Sequence, residues 1–420
     1  MEDPRRHLSD SDKMVLERLC SAGKAWIVGG WVRDILSDIQ PKEVDYATSL
    51  MPREVMQLFP RNIPVGERYG TILVLKDEKT ENHNDQNEET WEITTLRKDG
   101  SYGDGRRPDN VDFGHDILED LSRRDFTINS MAIDGSNGEL IDPFSGLEDL
   151  KSGILRAVGD AKTRISEDGL RILRAFRFIN LENGKKRNLD NDLSDAIRQN
   201  VAMLDNVSEE RKWNEFSQII SSSNANDILE SMEGHGVLSR ILPGISISSV
   251  NEIRLSADST VSLALLCNND SRSGPDLASY LKSILKLSNE EENVISFLHD
   301  IPKEAIEEKN DSILRIFRSC ISEKMQLKMA DYFGPKGEEY LQHSKDLKPL
   351  TAGKLPLIDG EHLMEITGLE PGPRLGRLKD WLQRKQIEED LGTKEDVLQL
   401  LETINWREED PESWGSLSWP

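Results

Sequence analysis

Two carboxylates one residue apart, Glu43 and Asp45 in Lys42-Glu43-Val44-Asp45-Tyr46, are the first group in the chain able to do chemistry. In an extended strand, side chains at i and i+2 face the same way. Two carboxylates on one face suit a hard cation such as Mg²⁺. Upstream, the apolar run Ala25-Trp26-Ile27-Val28 reads as a short buried strand that runs into Gly29-Gly30, and a helical stretch opens at Trp31-Val32-Arg33-Asp34. Glycines let the backbone approach a ligand closely, and the free N–H groups of a helix start favour an anion such as a triphosphate. Arg33, one turn in, adds a charge-assisted contact. A glycine pair after a strand is commonly only a turn, and an E-x-D pair commonly a solvated face; their succession points to a site for phosphate and metal.

Further groups follow. Glu92 lies in Thr90-Trp91-Glu92-Ile93-Thr94-Thr95, mid-strand, where a solitary carboxylate normally faces water. Residues 98–108 are rich in glycine, read as a loop without regular structure, and end in Arg106-Arg107-Pro108. Arg123-Arg124-Asp125-Phe126-Thr127-Ile128-Asn129 combines planar guanidinium donors, which suit phosphate, with Asp and Asn, which read a sugar hydroxyl. The spacing predicts a helix over residues 165–179, with Arg171, Arg174 and Arg177 on one face and Leu170, Leu173 and Phe176 on another. An arginine stripe is most often solvated.

In this order the stretches resemble the class II tRNA nucleotidyltransferase and bacterial poly(A) polymerase family. Its GG-x-V-R-D turn is matched by Gly29-Gly30-Trp31-Val32-Arg33-Asp34, and its D-x-D followed by Ala-Thr by Glu43-Val44-Asp45-Tyr46-Ala47-Thr48. The chain departs at Glu43, where the family carries Asp; Glu keeps the charge and adds a methylene. The resemblance implies Glu43, Asp45 and Glu92 as catalytic carboxylates, with Glu43 and Asp45 on Mg²⁺. It implies Gly29, Gly30, Arg33, Arg124, Asp125 and Asn129 around the nucleotide, the last three from the R-R-D-F-T-x-N motif. It places Asp168, Arg171, Arg174 and Arg177 along an E-D-x-x-R helix that acts as an amino-acid template for the incoming base, and Arg106 and Arg107 on a flexible loop. Three apart on a helix, Asp168 and Arg171 would project together, Asp accepting from the exocyclic amine of C or A and Arg donating beside it. The implied function is template-independent addition of CCA to the 3′ end of tRNA from CTP and ATP, by two-metal nucleotidyl transfer releasing pyrophosphate. A poly(A) polymerase, a CC- or A-adding enzyme of the same family, and a noncatalytic tRNA-binding protein are the alternatives.

The elements that must position these residues divide by pattern. Residues 51–59 read as a helix, and residues 70–75 and 90–95 as a hairpin joined by a polar surface loop. Residues 142–146 read as a turn; beyond them, helical periodicity takes over. The expected fold is α+β, a small mixed-sheet nucleotidyltransferase head (residues 1–150) followed by an all-α neck (151–220), body (221–345) and tail (346–420). In the tail, resemblance places Arg374, Arg377, Lys379 and Arg384 toward the tRNA backbone. Residues 208–215 resemble the family's fifth motif and read as structural, and His299-Asp300 reads as an isolated pair rather than a phosphohydrolase site. The 420 residues carry a formal charge of -24, with 31% charged and 6% aromatic side chains. Such acidity opposes nonspecific RNA binding, so an RNA partner requires a local basic surface. Three widely spaced cysteines argue against a disulfide framework or zinc site. With no leader pattern and no membrane-length apolar run, a cytoplasmic protein without an anchor is expected, its oligomeric state left open.

Overall fold

The computed structural model describes residues 2–66, 69–76, 89–99, 111–114, 116–180, 186–250, 253–301, 306 and 310–414. They form two compact units, Met1–Gly244 and Ile245–Pro420.

The first unit is built on a mixed sheet. Its strands are β1 (Ala25–Val28), β2 (Asp45–Thr48), β3 (Asn62–Gly66), β4 (Thr71–Leu75), β5 (Thr90–Thr95), a separate pair β6 (Arg97–Asp99) and β7 (Val111–Phe113), then β8 (Ala132–Asp134) and β9 (Leu140–Ile141). Among the described residues the main sheet runs β3-β4-β5-β2-β1-β8-β9. All its pairings are antiparallel except β2 with β5, which run parallel with Asp45 opposite Glu92. Strand β1 is apolar throughout because both its faces are covered. Ile27 joins Leu19, Tyr46, Val55, Ile72 and Ile93 in one core, while Trp26 and Val28 join Leu96, Ile117 and Leu121 in another. Helix α1 (Asp10–Ala22) starts at a capping box between Ser9 and Asp12, and Asp12 also ties it to the sheet. Its carboxylate accepts from Trp91 Nε1 at 2.7 Å, and its carbonyl from the Tyr46 hydroxyl at 2.9 Å.

Helix α2 (Gly30–Leu36) leaves β1, and α3 (Pro52–Leu58) follows β2 with proline in its first turn, as its sequence predicts. The 70–75 and 90–95 runs pair antiparallel as expected; most of the loop joining them lies outside the described residues. Lys98 and Asp99, expected in an irregular loop, instead belong to β6, whose pairing with β7 overrides the glycines that follow. Helix α4 (Ile117–Ser122) covers one side of the sheet, and Asp142 accepts from the N–H groups of Gly146 and Leu147 to start α5 (Gly146–Ser152).

The helix expected over residues 165–179 is two helices, α6 (Ala161–Glu167) and α7 (Leu170–Ile179). Asp168 closes the first in extended conformation, and Gly169 opens the second. Glycine is required there by close approach: a Cβ would lie 2.3 Å from the Met203 carbonyl oxygen. Helices α8 (Asn191–Asn200) and α9 (Glu209–Ile220) pack around α6 and α7, and Ala225–Gly234 also belongs to this unit.

The second unit is helical. Leu363, Leu378, Trp381 and Val397 form a core around the helix Pro373–Glu388. His299 and Asp300 serve the packing of this unit, His299 Nε2 lying 3.0 Å from the Arg272 carbonyl and Asp300 accepting from the Gly274 N–H. No helix among the described residues is long and apolar enough to cross a membrane, and the three cysteines are free thiols.

Candidate active site

A cleft of about 620 Å³ opens at the ends of β1, β2 and β5. Gly29, at φ +71°, turns the chain from β1 into α2, a left-handed conformation that glycine adopts without strain. A Cβ there would stand 3.4 Å from both an Asp45 carboxylate oxygen and Nη1 of Arg124. The backbone is thus the floor between an acid and a base. Asp45 begins β2, and the parallel register brings Glu92 abreast of it. Burial, and then the neighbouring Glu92 carboxylate, push Asp45 up to about 6 against the pull of Arg124.

Glu43 is placed differently. Strand β2 starts only at Asp45, so Glu43 precedes it at an exposed position, beside Lys42 and Trp91 rather than in this cleft. Its charge still reaches Asp45, pushing it up as the smallest contribution. Among the described residues no three acidic, histidine or cysteine side chains gather closely enough to hold a metal. The pair that the fold assembles, Asp45 with Glu92, offers hard oxygen donors whose mutual repulsion a divalent cation relieves, and fits such an ion.

The rest of the cleft is basic. Eight arginines and four carboxylates line it, in a chain whose total charge is -24. Asp120, buried at the end of α4, accepts from Arg123 and Arg124. Burial works against its ionisation, but the two guanidinium charges prevail and hold it below the usual carboxylate range. Arg33 donates through Nη1 to Asn129 at 2.9 Å, and Asn129 donates to Asp125 at 3.2 Å. Asp125 also receives Nε of Arg174 at 2.8 Å; despite full burial, Arg174 keeps it ionised below its ordinary range. Asp125 and Asn129 therefore brace the arginines that frame the cleft.

Asp168 and Arg171 both line the cleft, but they do not share a helix face. Asp168 is bound by Arg211 of α9, at 3.3 Å to Oδ1 and 2.7 Å to Oδ2, and Oδ1 also accepts from the Leu170 N–H. Arg171, buried, donates to Glu167 and to the carbonyls of Arg164 and Arg123. The break at Gly169 separates the two backbones, and neither the single-helix projection nor a solvated ion pair describes them. Arg174 and Arg177 share Glu215 of α9, at 3.6 and 2.6 Å. The stretch 208–215, read from sequence as structural, thus delivers Arg211 to the cleft wall and Glu215 to two of its arginines. Phe178 is the other lining residue that the pattern concealed, since its ring gathers Arg174 and Arg177 of its own helix with Arg33, which is distant in sequence.

Arg106 and Arg107 lie outside the described residues. In the second unit, Arg374 donates to the Trp406 carbonyl, Arg377 pairs with Glu412, and Arg384 pairs with Glu388 at 2.7 Å. These three side chains hold the tail together, and Lys379 stands half-buried on the same helix.

Residues 25–156 match the family described as the poly A polymerase head domain, and residues 188–248 that described as the probable RNA and SrmB-binding site of polymerase A. The chain is 34% identical over 390 residues to the CCA-adding enzyme of Lactococcus lactis subsp. lactis, covering 90% of this chain and 93% of the relative. It is 45% identical over 203 residues to the CCA-adding enzyme of Lactobacillus helveticus, covering 48% of this chain and 47% of that one. The crystal structure of the Bacillus stearothermophilus CCA-adding enzyme in complex with CTP superposes with a TM-score of 0.76 at 27% identity, over 96% of this chain and 98% of that chain. The Thermotoga maritima CCA-adding enzyme complexed with tRNA shares the fold at a TM-score of 0.61 and 19% identity, over 95% and 97%. Sharing both sequence and fold along most of its length, the chain belongs to the class II CCA-adding enzyme and poly(A) polymerase family.

Proposed function

We propose that the protein adds CCA to the 3′ end of tRNA from CTP and ATP, and that the cleft of the first unit is where the nucleotide binds. The observation that carries this reading is the Asp45–Glu92 pair set abreast among eight arginines in an otherwise acidic chain. An acidic pair ringed by guanidiniums matches a nucleoside triphosphate taken up with a divalent cation.

Asp45 and Glu92 would hold Mg²⁺, with Glu43 as the next carboxylate along the chain. Bound there, the metal supplies acidification of the attacking 3′-hydroxyl and neutralisation of the pyrophosphate leaving group. The protein's own share is positioning. Gly29 and Gly30 bring bare backbone to the triphosphate, and Arg33 and Arg124 face it with charge; Asn129, itself held by Asp125, keeps Arg33 in place and Asp120 keeps Arg124, while Asp125 and Asn129 offer groups to the sugar. Residues 346–420 take part in holding the tRNA, within the head, neck, body and tail division read from the sequence.

Base choice follows from donor and acceptor capacity. Oδ1 of Asp168 has two donors already, Arg211 and the Leu170 N–H, whereas Oδ2 has one and keeps a free lone pair for the exocyclic amine of C or A. Arg171 uses Nη1 twice and Nη2 once, which leaves N–H groups on Nε and Nη2 for a ring nitrogen or carbonyl. G and U reverse the amine and carbonyl pattern and would set a carboxylate against an acceptor, at a cost of roughly 1 to 3 kcal/mol per buried unsatisfied group.

The decisive test incubates purified protein with tRNA lacking its last three residues, Mg²⁺, and CTP and ATP singly and together. Complete CCA addition in the mixture supports the reading. Poly(A) tails, addition of CC or A alone, or no product would each replace it.

A further inference from the structure

Arg187 lies outside the cleft lining, 4% exposed, just before the short strand Asn188–Leu189. Its backbone N–H donates to the carbonyl of Ile179 at 2.8 Å, and its Nη1 to the carbonyl of Phe178 at 2.9 Å. One residue thereby satisfies two carbonyls of the last turn of α7, which no residue of the helix itself can reach. Its Nε is buried without a hydrogen-bond partner. The ionisable groups acting on it are Arg33, of the same sign, and Asp34, whose carboxylate is already bonded to Arg33 at 2.8 Å. A buried guanidinium without its own carboxylate is costly, and an apolar residue of similar volume would pack there at lower cost.

The end of α7 that Arg187 fastens carries Phe178. The centroid of this ring is 5.1 Å from the guanidinium carbon of Arg33, 5.3 Å from that of Arg174 and 4.4 Å from that of Arg177, and the ring meets Phe126 edge-on at 5.8 Å. Three like charges around one half-buried ring repel one another; Glu215 and Asp125 hold Arg174 and Arg177, Asp34 and Asn129 hold Arg33, and the ring is the surface that all three share. With their polar partners fixed on one side, the ring bounds the three cations on the other. We infer that Arg187 is a positioning residue for the nucleotide: it fixes Phe178 through the last turn of α7, and Phe178 arrays Arg33, Arg174 and Arg177 toward the triphosphate. This rests on the reading of the cleft as a nucleotide site.

Equilibrium binding of CTP to the full chain without tRNA, together with the split of kcat and KM in CCA addition, tests the inference. R187M is expected to raise the Kd and the KM for CTP about 5- to 10-fold, the scale of one lost cation–π contact, with kcat within about twofold. R187K, which keeps the charge and a donor for the Phe178 carbonyl, is expected to recover most of that loss. In an F178L background R187M is expected to add nothing, because the ring it positions is gone. Should R187M not fold, R187Q, which retains an N–H for the same carbonyl but no charge, takes its place with the same expected rise. Wild-type affinity in R187M, a fall in kcat with KM unchanged, or an equal loss in the F178L background overturns the inference while CTP binding by the wild type stands. A wild-type protein that binds no CTP removes the nucleotide reading itself, and this inference with it.

Discussion

Asp45 is a carboxylate placed where ionisation is resisted. Its folded-state value, about 6, lies above the ordinary 3.8, first through burial and then through Glu92. The folded protein therefore holds the proton more tightly than the unfolded chain, and the resulting stabilisation, complete below pH 3.8, is lost as pH rises through 6. Asp45→Asn is expected to melt at a higher temperature than the wild type at pH 8, by up to about 3 kcal/mol of stability, with the gap closing near pH 4. Thermal melts at the two pH values decide it, and no gap at pH 8 would mean that the site does not burden the fold. Mg²⁺ should raise the melting temperature of the wild type at pH 8 and not that of the variant. Glu43 supports a contrasting expectation, because it contributes least to the shift of Asp45 and stands in the open. Glu43→Ala should leave the pH dependence of stability nearly intact and lower kcat only about tenfold, far less than Asp45→Asn, and Glu43→Asp should retain activity. Near-normal turnover by the alanine variant would remove Glu43 from the catalytic set.

At the scale of elements, the junction of α6 and α7 matters more than either helix. Gly169→Ala drives a methyl group into the Met203 carbonyl, 2.3 Å away, so the junction must open. The expected loss is about 1 to 3 kcal/mol of stability, with eroded discrimination against UTP and GTP; kcat/KM for all four nucleotides, beside a denaturant melt, checks both. Arg211→Ala should erode selectivity in the same sense, by freeing the Asp168 carboxylate that Arg211 orients, and unchanged nucleotide ratios would leave Arg211 a packing residue. This junction also shows where the sequence stopped being informative. Gly29, Gly30, Arg33 and Asp45 were legible because a strand that runs into a glycine turn is a local pattern, whereas Glu92 entered only through the family resemblance and the alternation of Glu43 with Asp45 did not carry Glu43 into the cleft. The split at Asp168 and Gly169 was not, because apolar spacing continues across it and the constraint comes from a distant carbonyl. Arg211 and Arg187 were hidden for a related reason: one sits 43 residues from its partner, and the other reads as one more basic residue in Lys185-Lys186-Arg187.

Over the whole molecule the charge of -24 and the arginine-lined cleft act in opposite directions on an RNA partner. Binding of tRNA must then rest on few, local phosphate contacts, and raising salt from about 50 to 200 mM should weaken it less than the roughly thousandfold loss shown by proteins that neutralise many phosphates. A salt titration of the Kd for tRNA measures this, and a thousandfold loss would point to an extended basic track instead. The register of the main sheet has a consequence of its own for handling the protein. Strands β4 and β5 are closed beyond their paired residues by Lys76, whose N–H reaches the Glu89 carbonyl at 3.1 Å and whose Nζ pairs with the Glu89 carboxylate at 3.1 Å. Whatever chain is spliced in between these two residues enters and leaves at one fixed point, so it cannot slide Glu92 out of step with Asp45. That makes the stretch between Lys76 and Glu89 the natural port for a fluorophore or an affinity handle, a reporter carried by the first unit without a shift in the pairing of Asp45 with Glu92.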